Sequence, residues 1–144
     1  MLSCNVAIVR VGANSEIELK EKKDRVDDAI HATKAAIKEG IVPGGGIALY
    51  NYSYIMPQNT DGERIIAKAI KAPFKTILAN AGLVGDYGMF DSGYGINVIT
   101  GEEVDMIKEG IIDPALVTKS ALTNAASVAI TILSTDCVIN NVRE

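Results

Sequence analysis

Three consecutive glycines, Gly44, Gly45 and Gly46, stand directly before an apolar segment that begins at Ile47. Glycine has no Cβ, so the backbone of such a loop can approach a bound group closely. A helix starting after the loop would add unpaired N–H groups and the positive end of its dipole, which suit an anion. A tight turn into a helix explains the same glycines without a ligand, so both interpretations stay open.

Two aspartates also have a structural explanation beside a chemical one. At 100° per residue, Asp28 lies away from the apolar stripe of its helix, which is typical of a solvated carboxylate. Asp113 precedes Pro114, and this pair is typical of a helix start with the carboxylate as cap and proline at the first helical position. Pattern alone therefore assigns both residues to structure.

The first element that would position these residues is a long helix. It is predicted from Ser15, as N-cap, to Glu39, with Gly40 as its stop. Charge pairs at four-residue spacing indicate that its first half is solvated; they are Glu16/Lys20, Glu18/Lys22 and Glu21/Arg25. Its second half carries an apolar stripe that predicts docking on another element, formed by Val26, Ala29, Ile30, Thr33, Ala36 and Ile37.

Four more helices are predicted downstream. One runs from about Ile47 to Tyr54; the next two form a helical hairpin, in which Asp61 caps the first helix and Pro73 opens the second, which stops at Gly82. The buried residues of this second helical region are expected to be Ile65, Ile66, Ala69, Ile70, Phe74, Ile77, Leu78 and Ala81. The last helix follows Pro114 to about Ser134, is apolar around nearly its whole circumference and is predicted to be central and buried.

Strands are expected to be short. Alternating β-branched residues predict one strand over residues 5–13, another is predicted near 95–99, and a terminal strand is predicted over 137–142. Six glycines fall between Gly82 and Gly101, which indicates an irregular segment of the kind that often contacts ligands.

Composition limits the classes of function. The chain has 144 residues, 48% of them hydrophobic, which suits one domain with a core. Its net charge is −4 and its basic residues are interleaved with acidic ones, so nucleic acid is not an expected partner.

The cysteine and histidine content limits the possible sites. With one histidine and two distant cysteines, the sequence excludes a metal site that needs several imidazoles. Cys4 and Cys137 are expected to be small buried residues in a reducing, cytoplasmic setting. The longest apolar region, Ala125–Leu133, is shorter than a membrane span, and no export signal is recognised, so no membrane association is expected.

Two blocks of sequence, Asp24–Tyr50 and Tyr94–Leu122, closely resemble the GroEL-type group I chaperonins (the sixty-kilodalton heat-shock chaperonins), in the same order along the chain. The resemblance implies a mainly α fold with a minor β component, an equatorial-domain-like helical bundle with a long N-terminal intermediate-domain helix and short strands. It also implies that residues 1–38 are the end of the apical domain and the descending intermediate segment. Residues 39–144 would be the C-terminal half of the equatorial ATP-binding domain.

The same resemblance implies roles for individual residues. Asp28 occupies the place of the family's catalytic aspartate, which positions the attacking water over bound ATP when the intermediate domain closes. An outward-facing carboxylate suits such a lid residue. The implied nucleotide contacts are Gly44 and Gly45 in the glycine loop, Asn97, Val98 and Ile99 beside the adenine, and Asp113 at the ribose hydroxyls.

The phosphate side of an ATP site has no counterpart in this sequence. It contains no Gly-x-x-x-x-Gly-Lys-Ser/Thr loop, and the chaperonin Gly-Asp-Gly-Thr-Thr loop for phosphate and metal belongs to the family's N-terminal half. ATP and magnesium serve the parent family, and we expect this chain to bind neither tightly and to be inactive as an ATPase. The chain is thus expected to be part of an ATP-dependent protein-folding chaperonin subunit.

Partners follow from the same resemblance. Other chaperonin subunits or further copies of the chain are expected, while unfolded clients and the co-chaperonin would bind through regions outside this sequence. The alternative hypothesis is a stand-alone self-association or subunit-interaction module without nucleotide function. An ordinary nucleotide-binding enzyme is disfavoured, because no phosphate-binding lysine motif or nucleophile–base pair can be assembled.

Overall fold

The computed structural model describes residues 7–137 and 139, and within them five helices and four three-residue strands form the regular structure. The mainly α fold with a minor β component is therefore confirmed. The strands form two antiparallel pairs, β1 with β4 and β2 with β3. In chain order the elements are α1 (Glu16–Glu39), β1 (Ile41–Pro43), α2 (Ile47–Ile55), α3 (Asp61–Ala69), α4 (Ala72–Asn80), β2 (Tyr94–Ile96), β3 (Glu103–Asp105), β4 (Ile112–Pro114) and α5 (Ala115–Leu133).

Helix α1 begins and ends where its capping residues predict. The Ser15 side chain accepts a hydrogen bond from the Glu18 backbone N–H, and Gly40 closes the helix at φ 82°. Two of the three predicted charge pairs form, Lys22–Glu18 at 2.8 Å and Arg25–Glu21 at 2.6 Å. The Glu16/Lys20 pair is not formed.

The side of α1 that packs overlaps the predicted stripe only in part. Helix α1 contacts α5 and β4, so its docking is confirmed, but Ile37 is 81% exposed. Val26 and Ala36 of the predicted stripe are half-buried, and so are Ala32 and Ala35, which the stripe did not include. The packed side is therefore shifted around the helix from the predicted one.

The core lies between α2, α4 and the β2–β3 hairpin. Its buried members are Ile47, Tyr50, Phe74, Leu78, Phe90, Ile96 and Met106. The predictions for Phe74 and Leu78 are confirmed, whereas Ile77 is 37% exposed.

Helix α3 corrects two predictions. Its N-cap is Thr60, which forms a capping box with Glu63, while Asp61 is the first helical residue. The prediction for Ile70 is confirmed, and Ala67, which was not predicted, is also buried, whereas Ala69 is exposed. Ile65 and Ile66 are 68% and 51% exposed, so the predicted buried side of α3 is wrong at these two positions.

Helix α5 is not the predicted buried helix. None of its residues is buried within the described part of the chain, since α1 and β4 cover only part of it. By length and composition alone, this 19-residue helix could also cross a membrane. The sequence interpretation missed this because it counted only the uninterrupted apolar region 125–133 and left out the preceding turns. A single helix of this kind is weak evidence for a membrane, because an uncovered protein interface has the same composition.

Two of the predicted strands, over residues 5–13 and 137–142, lie near the ends of the sequence. Residues 7–13 form no strand and pair with none of the described strands. The rest of that prediction, Cys4, and most of the predicted strand 137–142 lie outside the described residues. Cys137 is exposed rather than buried.

Candidate functional site

The β1–β4 pair brings the glycine loop and Asp113 together from distant parts of the sequence. Val42 is the Cα partner of Asp113, and Pro43 is the partner of Ile112. Immediately beyond the pair, the Gly44 N–H donates to the Ile111 carbonyl at 2.9 Å. The two segments are thus fixed side by side by main-chain hydrogen bonds.

The glycine loop has the conformation that only glycine adopts readily. Gly45 and Gly46 have φ of 65° and 78°. A Cβ on Gly44 would lie 3.1 Å from the Ile111 carbonyl carbon, and one on Gly46 would lie 2.9 Å from the Phe74 backbone nitrogen. Packing alone therefore requires glycine at positions 44 and 46.

The same loop forms the start of α2 and caps it only in part, through the Ile47 N–H, which donates to the Gly44 carbonyl at 3.3 Å. Gly46 occupies the N-cap position, and no side chain caps the first turn. The first N–H groups of a helix point along its axis away from the helix, and here they point toward the loop. A ligand beside the loop would meet those donors and the positive end of the α2 dipole.

The β2–β3 hairpin packs directly against this helix start. Gly95 lies so close to the Ile47 side chain that an added Cβ would be 2.7 Å from Ile47 Cγ1. Met106 contacts both glycines, since its Cγ lies 3.1 Å from a Cβ built on Gly95 and its Cε 3.5 Å from one built on Gly45. The hairpin and the glycine loop therefore share one wall of packed side chains.

Asn97 lies at the end of that hairpin and shapes its turn. Its backbone N–H donates to the Glu102 carbonyl at 2.9 Å, and its Oδ1 accepts from the Ile99 N–H at 3.0 Å. Among the described residues, none accepts a hydrogen bond from its Nδ2. Val98 and Ile99 are 40% and 91% exposed, so their apolar side chains are accessible to a planar group of a ligand.

Asp113 is half-buried, and burial raises the pKa of its carboxyl above the usual value. It does not cap α5, contrary to the sequence prediction. Pro114 occupies the N-cap position, and no side-chain hydrogen bond is made to the first turn. The carboxylate therefore keeps its acceptor capacity, and a ligand that donates hydrogen bonds would offset the cost of burying the charge.

Asp28 is not brought to this group of residues. It is exposed on α1, twelve positions before Gly40, which corresponds to about 18 Å along the helix axis. In this arrangement, the glycine loop, the hairpin and Asp113 lie together and Asp28 lies apart.

The described residues offer no ready metal site. No three histidine, cysteine, aspartate or glutamate side chains among residues 7–137 and 139 lie close enough together to hold a metal ion. The donor set here does not fit a magnesium ion, which needs oxygen ligands in octahedral geometry. We therefore assign no chemical step to a metal in this chain.

Three residues that support the site were missed by sequence reasoning. Ile47, Gly95 and Met106 form the wall between the glycine loop and the hairpin. Each lies within or beside a block of recognisable sequence, but no local pattern reveals that they meet. The tight approach of Gly95 to Ile47 depends on a contact between segments almost fifty residues apart.

Comparison with solved structures agrees with this architecture. The chain is similar to a structure titled "Crystal structure of group III chaperonin in the open state", with 28% sequence identity and a TM-score of 0.71. The match covers 90% of this chain and 30% of that one, so the sequence spans less than a third of the length of its structural relative. The fold is that of a chaperonin equatorial-type helical domain.

The family assignment rests on nearly the whole sequence. Residues 1–143 match the family model described as the TCP-1/cpn60 chaperonin family. That match extends over the long helix, the glycine loop, the hairpin and Asp113 alike. The chain belongs to the TCP-1/cpn60 chaperonin family.

Proposed function

We propose that the chain forms the adenosine-binding side of an ATP pocket in a protein-folding chaperonin subunit of the group I, GroEL-like type. The observation that carries the proposal is the β1–β4 pair, which holds the Gly44–Gly45 backbone beside Asp113. The β2–β3 hairpin, packed on Ile47, adds Asn97 to the same side of α2. The group I assignment is supported by the sequence blocks Asp24–Tyr50 and Tyr94–Leu122.

In this proposal each part of the site has a separate task. The Asp113 carboxylate accepts hydrogen bonds from ribose hydroxyls, which compensates for its partial burial. The Gly44–Gly45 backbone allows close approach of the nucleotide, and the α2 N-terminus attracts its negative charge. Asn97 offers its side-chain amide, while Val98 and Ile99 cover a face of the base.

Asp28 is proposed as the residue that positions the attacking water in the complete subunit. It lies about 18 Å along α1 from Gly40 and therefore reaches a nucleotide only if α1 moves relative to β1. Such closure is a recognised way to assemble a catalytic site after substrate binding. The division at residues 38 and 39, between an intermediate segment and the equatorial half-domain, belongs to the same proposal.

The remaining parts of the activity would come from outside this sequence. ATP phosphates and magnesium would be held by the phosphate loop of the rest of a subunit, and client proteins and a co-chaperonin would bind to regions beyond the 30% of length that is matched. Oligomeric assembly with other subunits and a cytoplasmic location complete the proposal. The chain itself is expected to bind nucleotide weakly and not to hydrolyse it.

Calorimetric titration with adenosine, ADP and Mg-ATP tests the proposal. We expect weak binding of all three ligands, with ADP and Mg-ATP bound somewhat more tightly than adenosine because the α2 N-terminus attracts their phosphate charge. Asp113→Ala should abolish the heat of binding, while Asp61→Ala, on the exposed start of α3, should leave it unchanged. A folded chain that binds none of the three ligands would refute the proposal.

A second candidate function, self-association without nucleotide, is favoured by the exposed area of the chain. The accessible surface is 11471 Å² for a mass of 15.3 kDa. A compact monomer of that mass exposes about 7100 Å². The chain thus exposes more surface than a compact monomer of its mass, as expected of a chain that buries area against further copies or other subunits. Light scattering separates the two functions: a complex indifferent to Mg-ATP supports association alone, and a mass that changes with Mg-ATP supports the pocket.

A further inference from the structure

Asn51, on α2, makes a hydrogen-bonding contact that neither the family resemblance nor the proposed pocket explains. Its Nδ2 donates to the Phe90 carbonyl at 3.1 Å, and its Oδ1 accepts from the Phe90 N–H at 3.0 Å. One side chain thus satisfies both backbone groups of a single residue that is 39 positions away in sequence. This two-point contact fixes both the position and the orientation of the Phe90 backbone.

Phe90 belongs to an irregular segment, residues 83–93, which we call the strap. The strap contains no helix or strand, so it lacks the repeated main-chain hydrogen bonds that hold such elements in place. Leu83 and two aromatic residues attach it to the core. The Tyr87 and Phe90 rings both pack against Phe74, with centroid separations of 6.1 and 5.6 Å.

The strap leads straight into the β2–β3 hairpin. Gly93 accepts a hydrogen bond from the Met106 N–H at 2.9 Å, and β2 starts at the next residue. Ile96 is buried in the same core as Phe90, and Asn97 follows it directly. Only seven positions separate the Asn51 contact from Asn97, and the backbone between them is held at both ends.

Asn51 also lies on the helix whose first turn faces the glycine loop. It stands one turn after Ile47, the residue that packs on Gly95. Helix α2 therefore makes two contacts: Ile47 packs on the hairpin itself, and Asn51 binds the strap that leads into it. The first contact is close apolar packing, whereas the second also fixes direction because hydrogen bonds depend on angle.

We propose that Asn51 is a positioning residue that sets the distance between the glycine loop and Asn97. The inference rests on the proposed function, because it concerns the adenine side of that pocket. Binding sites need their contacting groups held to within about half an ångström. Without the Asn51 contact, the polar groups of Phe90 lose their partners and the strap can shift, which displaces Asn97 from the loop.

The other polar contact to the strap provides a matched control. The Tyr87 carbonyl accepts from the hydroxyl groups of both Tyr50 and Tyr54, the latter at 3.1 Å. Tyr54→Phe removes one of these donors and leaves the other, so the strap should stay in place. Asn51→Asp keeps the acceptor for the Phe90 N–H but places a carboxylate oxygen against the Phe90 carbonyl, and Asn51→Leu removes both hydrogen bonds.

The experiment measures the dissociation constants of adenosine and guanosine for the 144-residue chain and these three variants, with folding checked by circular dichroism. Hydrogen exchange at the Asn97 and Ile99 amides is recorded in parallel. We expect Asn51→Asp and Asn51→Leu to weaken adenosine binding about tenfold, to reduce the preference for adenosine over guanosine and to speed exchange at both amides. Tyr54→Phe should match the unmodified chain in each measurement.

The outcomes separate this inference from the proposed function. If folded Asn51→Asp binds adenosine as the unmodified chain does, Asn51 is not a positioning residue, whatever becomes of Asn51→Leu. A purely structural role would lower the melting temperature and leave the adenosine preference of the folded protein unchanged, which also overturns the inference. If the unmodified chain binds no nucleoside, the proposed function fails and the positioning role fails with it. Unchanged amide exchange in Asn51→Asp would overturn the link between strap and hairpin independently of any ligand.

Discussion

Val42 and Asp113 are direct partners across the antiparallel β1–β4 pair. This three-residue pairing joins the segment that enters the glycine loop to the segment that enters α5. Main-chain hydrogen bonds therefore set the separation between Asp113 and the loop, independently of how the long side chains around them pack. A change at either end of the pair should affect both the site and the docking of α1, because Ala115 also donates to the Gly40 carbonyl at 3.1 Å.

Gly46→Ala should be far more destabilising than Gly82→Ala, although both glycines have positive φ, at 78° and 74°. At Gly82 an added Cβ meets no atom within 4 Å, so the cost is the backbone strain of about 1–2 kcal/mol. At Gly46 the Cβ would lie 2.9 Å from the Phe74 nitrogen, which adds a packing cost of about 1–3 kcal/mol. Urea unfolding measures both free energies. Equal losses in the two variants would show that the loop can move away from α4.

Asp113→Asn should stabilise the chain at neutral pH and make its free energy of unfolding less dependent on pH. Burial raises the folded-state pKa of Asp113 above the unfolded value, so the folded chain binds the proton more tightly. The carboxyl group therefore contributes stability at low pH that is lost as the pH rises through the raised pKa. Free energies of unfolding between about pH 4 and pH 7 measure this slope. A steeper decline with pH in Asp113→Asn than in the unmodified chain would contradict the assignment.

Nucleoside binding should show the opposite pH preference at the same residue. Ribose hydroxyls donate to the ionised carboxylate, and binding therefore favours the charged form of Asp113. Adenosine affinity should fall as the pH is lowered through the raised pKa of Asp113, and Asp113→Asn should lack this dependence. Titrations over the same pH range, with the folded fraction measured at each pH, test the expectation. An affinity that is independent of pH would place the ribose elsewhere.

Lys119→Ala should loosen the C-terminal turn of α1 with little effect on global stability. Lys119 Nζ lies 2.6 Å from Glu39 Oε2 and joins α5 to α1, but its side chain is 70% exposed. Exposed ion pairs contribute about 0–1 kcal/mol and are screened by salt. We expect faster amide exchange over residues 36–40 in the variant. The difference from the unmodified chain should be smaller at high salt. Lys108→Ala, which removes a local pair with Asp105, should leave exchange in α1 unchanged.

Helix ends were predictable from the sequence because their signals are local. Ser15 and Gly40 bound α1 as predicted, and Gly46 immediately precedes α2 as the glycine loop suggested. The buried side of α3 was not predictable in the same way. Ile65 and Ile66 are more apolar than Ala67, yet Ala67 faces α2, and sequence periodicity does not tell which side a neighbouring helix will meet.

The candidate site was predictable only in part for the same reason. The glycine loop and Asp113 carry recognisable residue patterns, but their meeting depends on two three-residue strands that are too short to produce a periodic signal. The Asn51–Phe90 contact has no sequence signal, because an asparagine in a helix and a phenylalanine in an irregular segment are each unremarkable. Helix α5 is the reverse case. Its apolar composition predicted burial, yet none of its residues is buried in the described part of the chain, which covers only part of its surface.

A single charge on the uncovered side of α5 should therefore reduce association of the chain. Val128 is 60% exposed, and Ile132, one turn later, is 63% exposed, so Val128→Lys places an ammonium group within an apolar surface. Light scattering should give a mass above 15.3 kDa for the unmodified chain and a shift toward 15.3 kDa for the variant. Ile65→Lys is the matched control, because Ile65 is 68% exposed on α3, and its mass should equal that of the unmodified chain. Folded stability should change little in either variant, since neither side chain is buried. A monomeric unmodified chain, or an unchanged complex in Val128→Lys, would show that this surface of α5 is not what holds copies together.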